Sequence, residues 1–176
     1  MMERAKELFL QHFGSFMSMR REGVYEAYKQ FEIDREVENE WINECIDSCT
    51  KQLSIRDWEA ASSLLAIVKV HSDERVLQNV VAFVMKQLMS ADSIVKLMYA
   101  EHLIEMVKAI RPTISDAIRF ESYEAALYLL EDIIKKPLVI DPGHELSLFK
   151  LRDKRSLNNR AQISIDTIKN DGYWKE

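Results

Sequence analysis

The sequence predicts an all-α protein. First, apolar residues recur three and four positions apart in successive segments, a pattern typical of amphipathic helices. Second, the 176 residues include only four glycines and three prolines, too few turn residues for a β-barrel or a β-sandwich. Third, 47% of the residues are hydrophobic and 30% are charged, as in globular proteins, and a chain of this length can bury a real core.

The N-terminal segment predicts a first helix over residues 2–19, which Gly14 weakens in the middle. Gly23 then marks a break. A short helical face follows, with Tyr25, Tyr28 and Phe31 on one side. Aromatic residues at helical spacing indicate packing against a core, and a stacking platform is the alternative interpretation.

The next predicted helix runs from Asp34, a suitable N-cap residue, to about Leu53. Its apolar stripe includes Cys45 and Cys49, and intact helix geometry disfavours a disulfide between them. We therefore expect reduced thiols and a reducing compartment. The opposite side of the helix is acidic and indicates either a solvated face or a surface for a basic partner; it comprises Glu36, Glu40, Glu44 and Asp47.

Four further helices are predicted between Asp57 and Lys136. Ser54 and Asp57 have the spacing of a capping box for the first, which should end near Val70. The second, over residues 74–89, contains an apolar run at positions 80–85. Because this run is apolar on all sides, we expect the helix to lie at the centre of the core, with Val80, Val81 and Val84 buried.

Short connections separate the remaining helices. His71, Ser72 and Asp73 form a turn whose aspartate can cap the second helix. Asp92 or Ser93 can cap the third helix, which should end at Ile110 because Pro112 disfavours helical geometry in the residue before it. Ser115 or Asp116 can begin the fourth helix, which should continue to about Lys135.

Two of these segments share the pattern A-x-x-L-[LI]-x-[IM]-V-K, at residues 61–69 and 100–108. Their offset of 39 residues lies in the range of two-helix repeat units. The pattern resembles HEAT-type and armadillo-like repeats over residues 57–136. The resemblance implies a stack of two antiparallel helical hairpins, with the helices at 2–53 as a further stacking partner. An irregular helical bundle is the alternative fold.

Two regions are expected: a helical domain over residues 1–136, and a less regular C-terminal extension over 137–176 packed on it. Pro137 and Pro142 break the helix pattern where the extension begins. The isoleucines that follow fit either a strand or a short helix, and Trp174 is a candidate anchor; the isoleucines are Ile163, Ile165 and Ile168.

The extension also contains a basic cluster on an otherwise acidic chain. Residues 137–176 carry a net charge of +1, whereas residues 1–136 carry −6. The cluster could fold back onto acidic helices such as residues 36–47, or stay free for an acidic partner. It consists of Lys150, Arg152, Lys154, Arg155 and Arg160.

No phosphate-binding glycine loop, nucleophile elbow, zinc ligand set or dinucleotide motif occurs in the sequence. We therefore expect no catalytic site, no cofactor and no metal. The closest approach to a metal site is His102 with Glu105 one helical turn away. A small helical-bundle enzyme or metal-binding protein with a site near His102 is the alternative function.

The predicted function is that of a non-catalytic protein–protein interaction module, such as an adaptor, an inhibitor or an immunity-type protein. The candidate partner-binding residues are the basic cluster and three glutamates of the acidic face, Glu36, Glu40 and Glu44. A net charge of −5 argues against a general nucleic-acid binder. The N-terminus lacks the apolar run of a signal peptide and no apolar stretch reaches membrane length, so we expect a cytoplasmic protein that does not bind membranes.

Overall fold

The structure is a computed structural model that describes residues 1–173. These residues form nine α-helices, two short 3-10 turns and no β-strand, so the predicted all-α class is confirmed. The helices are α1 (Met2–Gln11), α2 (Phe16–Arg21), α3 (Tyr25–Lys29), α4 (Arg35–Lys51), α5 (Glu59–His71), α6 (Glu74–Gln87), α7 (Ser93–Ile110), α8 (Asp116–Lys135) and α9 (Lys154–Asn170). The 3-10 turns are Leu88–Ser90 and Leu146–Phe149.

The single helix predicted over residues 2–19 is wrong, because the chain bends between α1 and α2. Phe13 and Gly14 both have positive φ values, +48° and +72°, which end α1. The hydroxyl of Ser15 then caps α2 by accepting a hydrogen bond from the backbone N–H of Ser18. A glycine that only weakens a helix in isolation here terminates it, since it can adopt the left-handed conformation.

The long helix α4 follows its prediction closely. It begins after Asp34, which makes no side-chain capping bond, and it buries Trp41, Ile42 and Ile46. Cys45 and Cys49 are free thiols, each partly buried on this helix. The hydrogen bond with Cys49 lowers the pKa of the Cys45 thiol to about 7, while the same contact raises that of Cys49.

The predicted capping box at the start of α5 does not form. Ser54 and Asp57 accept bonds from backbone N–H groups only two residues ahead, and α5 begins at Glu59. The turn before α6 is as predicted, because the Asp73 carboxylate accepts a hydrogen bond from the N–H of Arg75 at 2.9 Å.

The prediction that α6 is enclosed at the centre of the core is wrong. Val80 and Val84 are fully buried, but Val81 is only partly buried and Met85 is 49% exposed. One side of α6 packs on α7 and α8, and the other side meets water. The central helix is α7, which buries thirteen of its eighteen residues because α5, α6, α8 and α9 all contact it.

The packing order of the middle helices places α5 against α7 and α6 against α8, while α7 and α8 form the most extensive helix contact. The contact between α5 and α6 is small by comparison. At the N-terminal end, α4 packs on α1, α5 and α6. This arrangement brings α1 to α4 together as a cap on the outer side of α5.

The C-terminal extension is more regular than predicted, since it contains the seventeen-residue helix α9. Asp153 and Ser156 form a reciprocal capping box at its start. Its buried stripe packs on α7 and α8 and consists of Leu157, Ala161, Ile165 and Ile168. Ile163 points away and is 67% exposed. The predicted anchor Trp174 lies outside the described residues.

Candidate functional site

The basic cluster of the C-terminal extension is partly used within the chain. The Arg160 guanidinium donates to both carboxylate oxygens of Glu101 on α7, at 2.6 and 2.8 Å, and to the carbonyl of Phe149 at 3.0 Å. This pairing raises the pKa of Arg160 above its usual value. Lys154 donates to the carbonyl of Ile133 and to the side chain of Asn158.

The other three members of the cluster, Lys150, Arg152 and Arg155, are exposed, and no carboxylate of residues 1–173 lies within ion-pair distance of them. The cluster contacts α7 and α8, and the predicted contact with residues 36–47 does not form. Helix α4 packs on α1, α5 and α6, whereas α9 packs on α7 and α8.

His102 is a partly buried residue held by two hydrogen bonds. Nδ1 lies 2.6 Å from the carbonyl oxygen of Met98, so this nitrogen carries the proton, and Nε2 accepts from the Ser62 hydroxyl at 2.8 Å. Burial lowers the pKa of the imidazole and favours its neutral form. Glu105 pairs with Lys108 at 3.2 Å. With both ring nitrogens occupied, His102 offers no free ligand atom for a metal.

A second group of metal-ligand type lies where the segment after α8 crosses the start of α7. The ligand atoms of Asp92, Asp141 and His144 all lie within 4.8 Å of one another. However, Asp92 already accepts hydrogen bonds from the N–H of Val95, the N–H of Asp141 and Nδ1 of His144, at 2.8, 2.9 and 2.6 Å. These bonds explain why the three side chains lie together: they hold the segment after α8 against the start of α7.

The acidic face of α4 is exposed as predicted from its spacing. Glu36, Glu40 and Glu44 all lie on the surface, and Glu44 forms an ion pair with Lys6 of α1. The surrounding segment is more acidic than α4 alone, because residues 22–47 contain nine Asp/Glu and two Lys/Arg, a net charge of −7. Residues 22–47 therefore carry more negative charge than the chain as a whole, whose net charge is −5.

This acidic segment forms one side of a cleft between the N-terminal helices. The cleft has a volume of about 660 Å³, within the range of ligand and peptide pockets. Helices α1 to α4 and the end of α5 surround it. Its lining residues are Phe9, Gly14, Phe16, Tyr25, Tyr28, Lys29, Glu32, Ile33, Arg35, Glu38, Asn39 and His71.

Aromatic rings form one wall of the cleft. The Phe9 and Tyr28 rings stack with centroids 5.6 Å apart, and Phe16 contacts Tyr25 at 5.5 Å and Tyr28 at 6.0 Å. Phe9 and Tyr28 are almost fully buried, so they support the wall, which agrees with the packing interpretation of the sequence. Phe16 is 36% exposed and Tyr25 is partly exposed, so these two rings present surface to a ligand.

The carboxylate of Glu38 lies beside these rings and is partly shielded from water. The Tyr28 hydroxyl donates to Oε1 of Glu38 at 2.6 Å, and Glu38 is only partly exposed. Burial, with a further contribution from Glu38, raises the pKa of Tyr28, so the phenol keeps its proton and orients the carboxylate. The remaining charged lining groups, Lys29, Glu32 and Arg35, are exposed at the rim.

The base of the cleft depends on the absence of a side chain at position 14. A Cβ atom on Gly14 would lie 2.7 Å from the Phe9 ring and 2.9 Å from Nε2 of His71. That imidazole nitrogen donates to the carbonyl of Phe13 at 2.9 Å and ties the bend to the end of α5. The bend between α1 and α2 thus brings Phe16 over the cleft.

Sequence reasoning identified the acidic glutamates but not the cleft. Aromatic residues and carboxylates alternate from Tyr25 to Glu38 in the sequence, and this pattern was the available signal. It does not specify a cleft, because Phe9 and Phe16 reach the site only through the bend at Gly14.

Comparison with known proteins gives no relative for this chain: no family model, no curated protein and no solved structure matches it. The resemblance of residues 57–136 to HEAT-type repeats therefore stays a prediction from the sequence. Among residues 1–173, no helix combines the length and the apolar character needed to cross a bilayer.

Proposed function

We propose that the protein is a non-catalytic module that binds a basic segment of another protein through the acidic surface of its N-terminal cap. The observation that carries this proposal is the position of the charge: residues 22–47 hold a net charge of −7 and border the aromatic cleft. Opposite charges steer association and select the partner, while aromatic residues in a pocket supply binding energy. Nucleic acid is disfavoured as a partner because its phosphates would be repelled.

The non-catalytic part of the proposal is supported by how the titratable groups are arranged. His102 and Asp92 are held in internal hydrogen bonds, and the partly buried carboxylate of the cleft, Glu38, lies beside a protonated phenol. An enzyme site needs a base, an orienting group and space for a reacting atom at the same place.

The scaffold behind this surface is proposed to be a HEAT-like stack over residues 57–136. In a stack, the first helices of successive units pack on each other and so do the second helices, which matches α5 on α7 and α6 on α8. The repeated positions also agree in burial, since Leu64 and Leu103 are both fully buried. The small contact between α5 and α6 favours the irregular bundle, which stays the alternative.

The C-terminal cations form a second candidate contact, for an acidic segment. Arg160 and Lys154 are bound within the chain, so only Lys150, Arg152 and Arg155 of the five predicted residues remain for a partner. Three exposed cations contribute little without a pocket beside them. The acidic cap, which combines charge with a cleft, is therefore the stronger candidate.

The test compares the wild-type chain with a variant carrying Glu36→Gln, Glu40→Gln and Glu44→Gln. Both proteins are used to capture partners from the source cells, with cross-linking and mass spectrometry to locate the contact. We expect a captured protein whose basic segment cross-links to residues 22–47, with capture reduced in the variant and by added salt, because screening weakens exposed charges.

The matched control neutralises the other surface with Lys150→Ser, Arg152→Ser and Arg155→Ser, and it should retain the partner. Cross-links confined to α9, or loss of capture only in this control, would contradict the proposed surface.

A further inference from the structure

We propose that the cleft receives one arginine side chain of the basic segment, with its guanidinium against the Phe16 and Tyr25 rings and hydrogen-bonded to Glu38. This inference rests on the proposed function and names the chemical group that the cleft recognises. It follows from the exposure of the charged lining groups, from the accessible rings, and from the shape of a guanidinium.

The first step is the exposure of the charged lining residues. Glu38 is partly buried, whereas Lys29, Glu32 and Arg35 are exposed. A group that enters the cleft can therefore contact a carboxylate that is partly shielded from water. The Tyr28 hydroxyl occupies Oε1 of Glu38 at 2.6 Å, and a carboxylate has a second oxygen that can accept from a ligand.

The second step is the character of the wall. Phe16 and Tyr25 keep exposed ring surface and lie 5.5 Å apart at an interplanar angle of 60°. Cations are attracted to the faces of aromatic rings, and the attraction grows where water is partly excluded. An anion or a neutral apolar group would gain nothing from Glu38.

The third step is the choice between an arginine and a lysine. The guanidinium of Arg20, which is not among the lining residues of the cleft, already lies 4.3 Å from the centroid of the Tyr25 ring. This contact shows that the ring accepts a guanidinium, and it also places a like charge near the proposed ligand. A guanidinium suits the cleft better than an ammonium, because it is planar and its fixed fork of donors matches a carboxylate.

The exposed charged residues at the rim of the cleft also affect the affinity for an arginine. Lys29 and Arg35 carry the same sign as the proposed ligand and oppose its entry, while Glu32 and the neighbouring acidic residues of α4 attract it. The volume of about 660 Å³ exceeds what one side chain fills, which leaves space for the backbone of the partner segment beside the rim.

The experiment titrates the full chain with an acetylated and amidated Gly-Arg-Gly peptide, observed by NMR chemical shifts up to about 10 mM peptide. The matched probe is the same peptide with citrulline in place of arginine, which keeps the shape and removes the charge. We expect shifts at the cleft residues, with affinity for citrulline lower by about 10-fold because the charge-assisted bond and the cation–π contact are lost.

The variant Glu38→Gln should lower the affinity for the arginine peptide by about 5-fold or more. Its melting temperature should not change, since the amide oxygen can still accept from the Tyr28 hydroxyl. Glu124→Gln is the matched control: it makes the same change of charge at an exposed position of α8 outside the cleft, and it should change affinity by less than about 2-fold. Lys29→Gln should strengthen binding.

Equal affinity for the arginine and citrulline peptides, equal effects of the two glutamine variants, or no shift at the cleft would each overturn the inference. These outcomes are separable from failure of the proposed function. If partner capture is lost in the Glu36, Glu40 and Glu44 variant but is unchanged in Glu38→Gln, the acidic surface binds the partner and the arginine site is wrong. If the arginine peptide binds at the cleft but no partner cross-links to residues 22–47, the site stands without the proposed function.

Discussion

At the scale of single residues, most polar groups inside this protein are matched in pairs, and the pairing limits what each group can do. Lys96 and Asp132 are both almost fully buried and lie 2.7 Å apart, which offsets the cost of removing their charges from water. His102 is satisfied at both ring nitrogens, by Met98 and Ser62. Glu38 differs from these groups because its partner Tyr28 uses only one of its oxygens.

The state of His102 predicts a pH dependence of stability. Burial lowers its folded-state pKa below the value of 6.5 for an unperturbed histidine. Between these two pKa values the unfolded chain binds more protons than the folded chain, so the contribution to stability is complete above about pH 6.5 and is lost as pH falls through the folded-state pKa. Urea unfolding at about pH 7.5 and about pH 5.5 should therefore give a lower free energy of unfolding at the acidic pH.

His102→Asn identifies how much of this dependence belongs to His102, since the sequence contains three other histidines. The variant should be less stable than the wild type at neutral pH and should lose less stability on acidification. An identical loss in both proteins would contradict the role assigned to His102.

At the scale of helices, α6 and α7 both contain apolar runs but differ in how far they are buried. The apolar run at positions 80–85 belongs to a helix with one exposed side, whereas α7 is enclosed by four neighbours. An apolar run therefore does not by itself locate the centre of this core. The number of helices that pack around an element decides it.

Adjacent residues of α6 provide a direct test of its orientation. Val84→Asp should destabilise the protein by several kcal/mol, roughly the cost of an unpaired buried charge, because Val84 is fully buried. Met85→Asp makes a comparable change one residue later, at a side chain that is 49% exposed, and should change stability by less than about 1 kcal/mol. Thermal melts of the two variants measure this difference, and similar melting temperatures would show that the orientation of α6 is wrong.

At the scale of the whole molecule, α9 completes the core from the C-terminal side. Its buried stripe covers α7 and α8, and Arg160 links it to Glu101. Each large apolar side chain of this stripe contributes about 1.5–3 kcal/mol on burial, and domains are stable by only about 5–15 kcal/mol.

A chain truncated after Lys136 tests this contribution. Removing α9 exposes apolar surface on α7 and α8, so residues 1–136 alone should lose cooperative thermal unfolding when followed by circular dichroism. A truncated chain that melts cooperatively at the wild-type temperature would mean that the helical domain is complete without the extension.

Much of the helix pattern was predictable, because helix starts depend on residues close in sequence. Asp73, Asp92 and Ser115 each accept a hydrogen bond from a backbone N–H two or three residues ahead, so their capping roles follow from local spacing. The length of α9 was not predicted, because Ile163, Ile165 and Ile168 alone fit either a strand or a short helix. The buried stripe that identifies the long helix begins earlier, at Leu157.

The sequence by itself determined the helical class, most helix boundaries and the acidic face of α4, since these depend on composition, caps and periodicity. The tertiary structure decided which helix is central, that Arg160 reaches Glu101 across 59 residues of sequence, and that Phe9 and Phe16 join Tyr25 and Glu38 in one cleft. These features arise where separate helix faces meet. A periodic pattern specifies that a face will be buried, but the packing of the whole chain selects what lies against it.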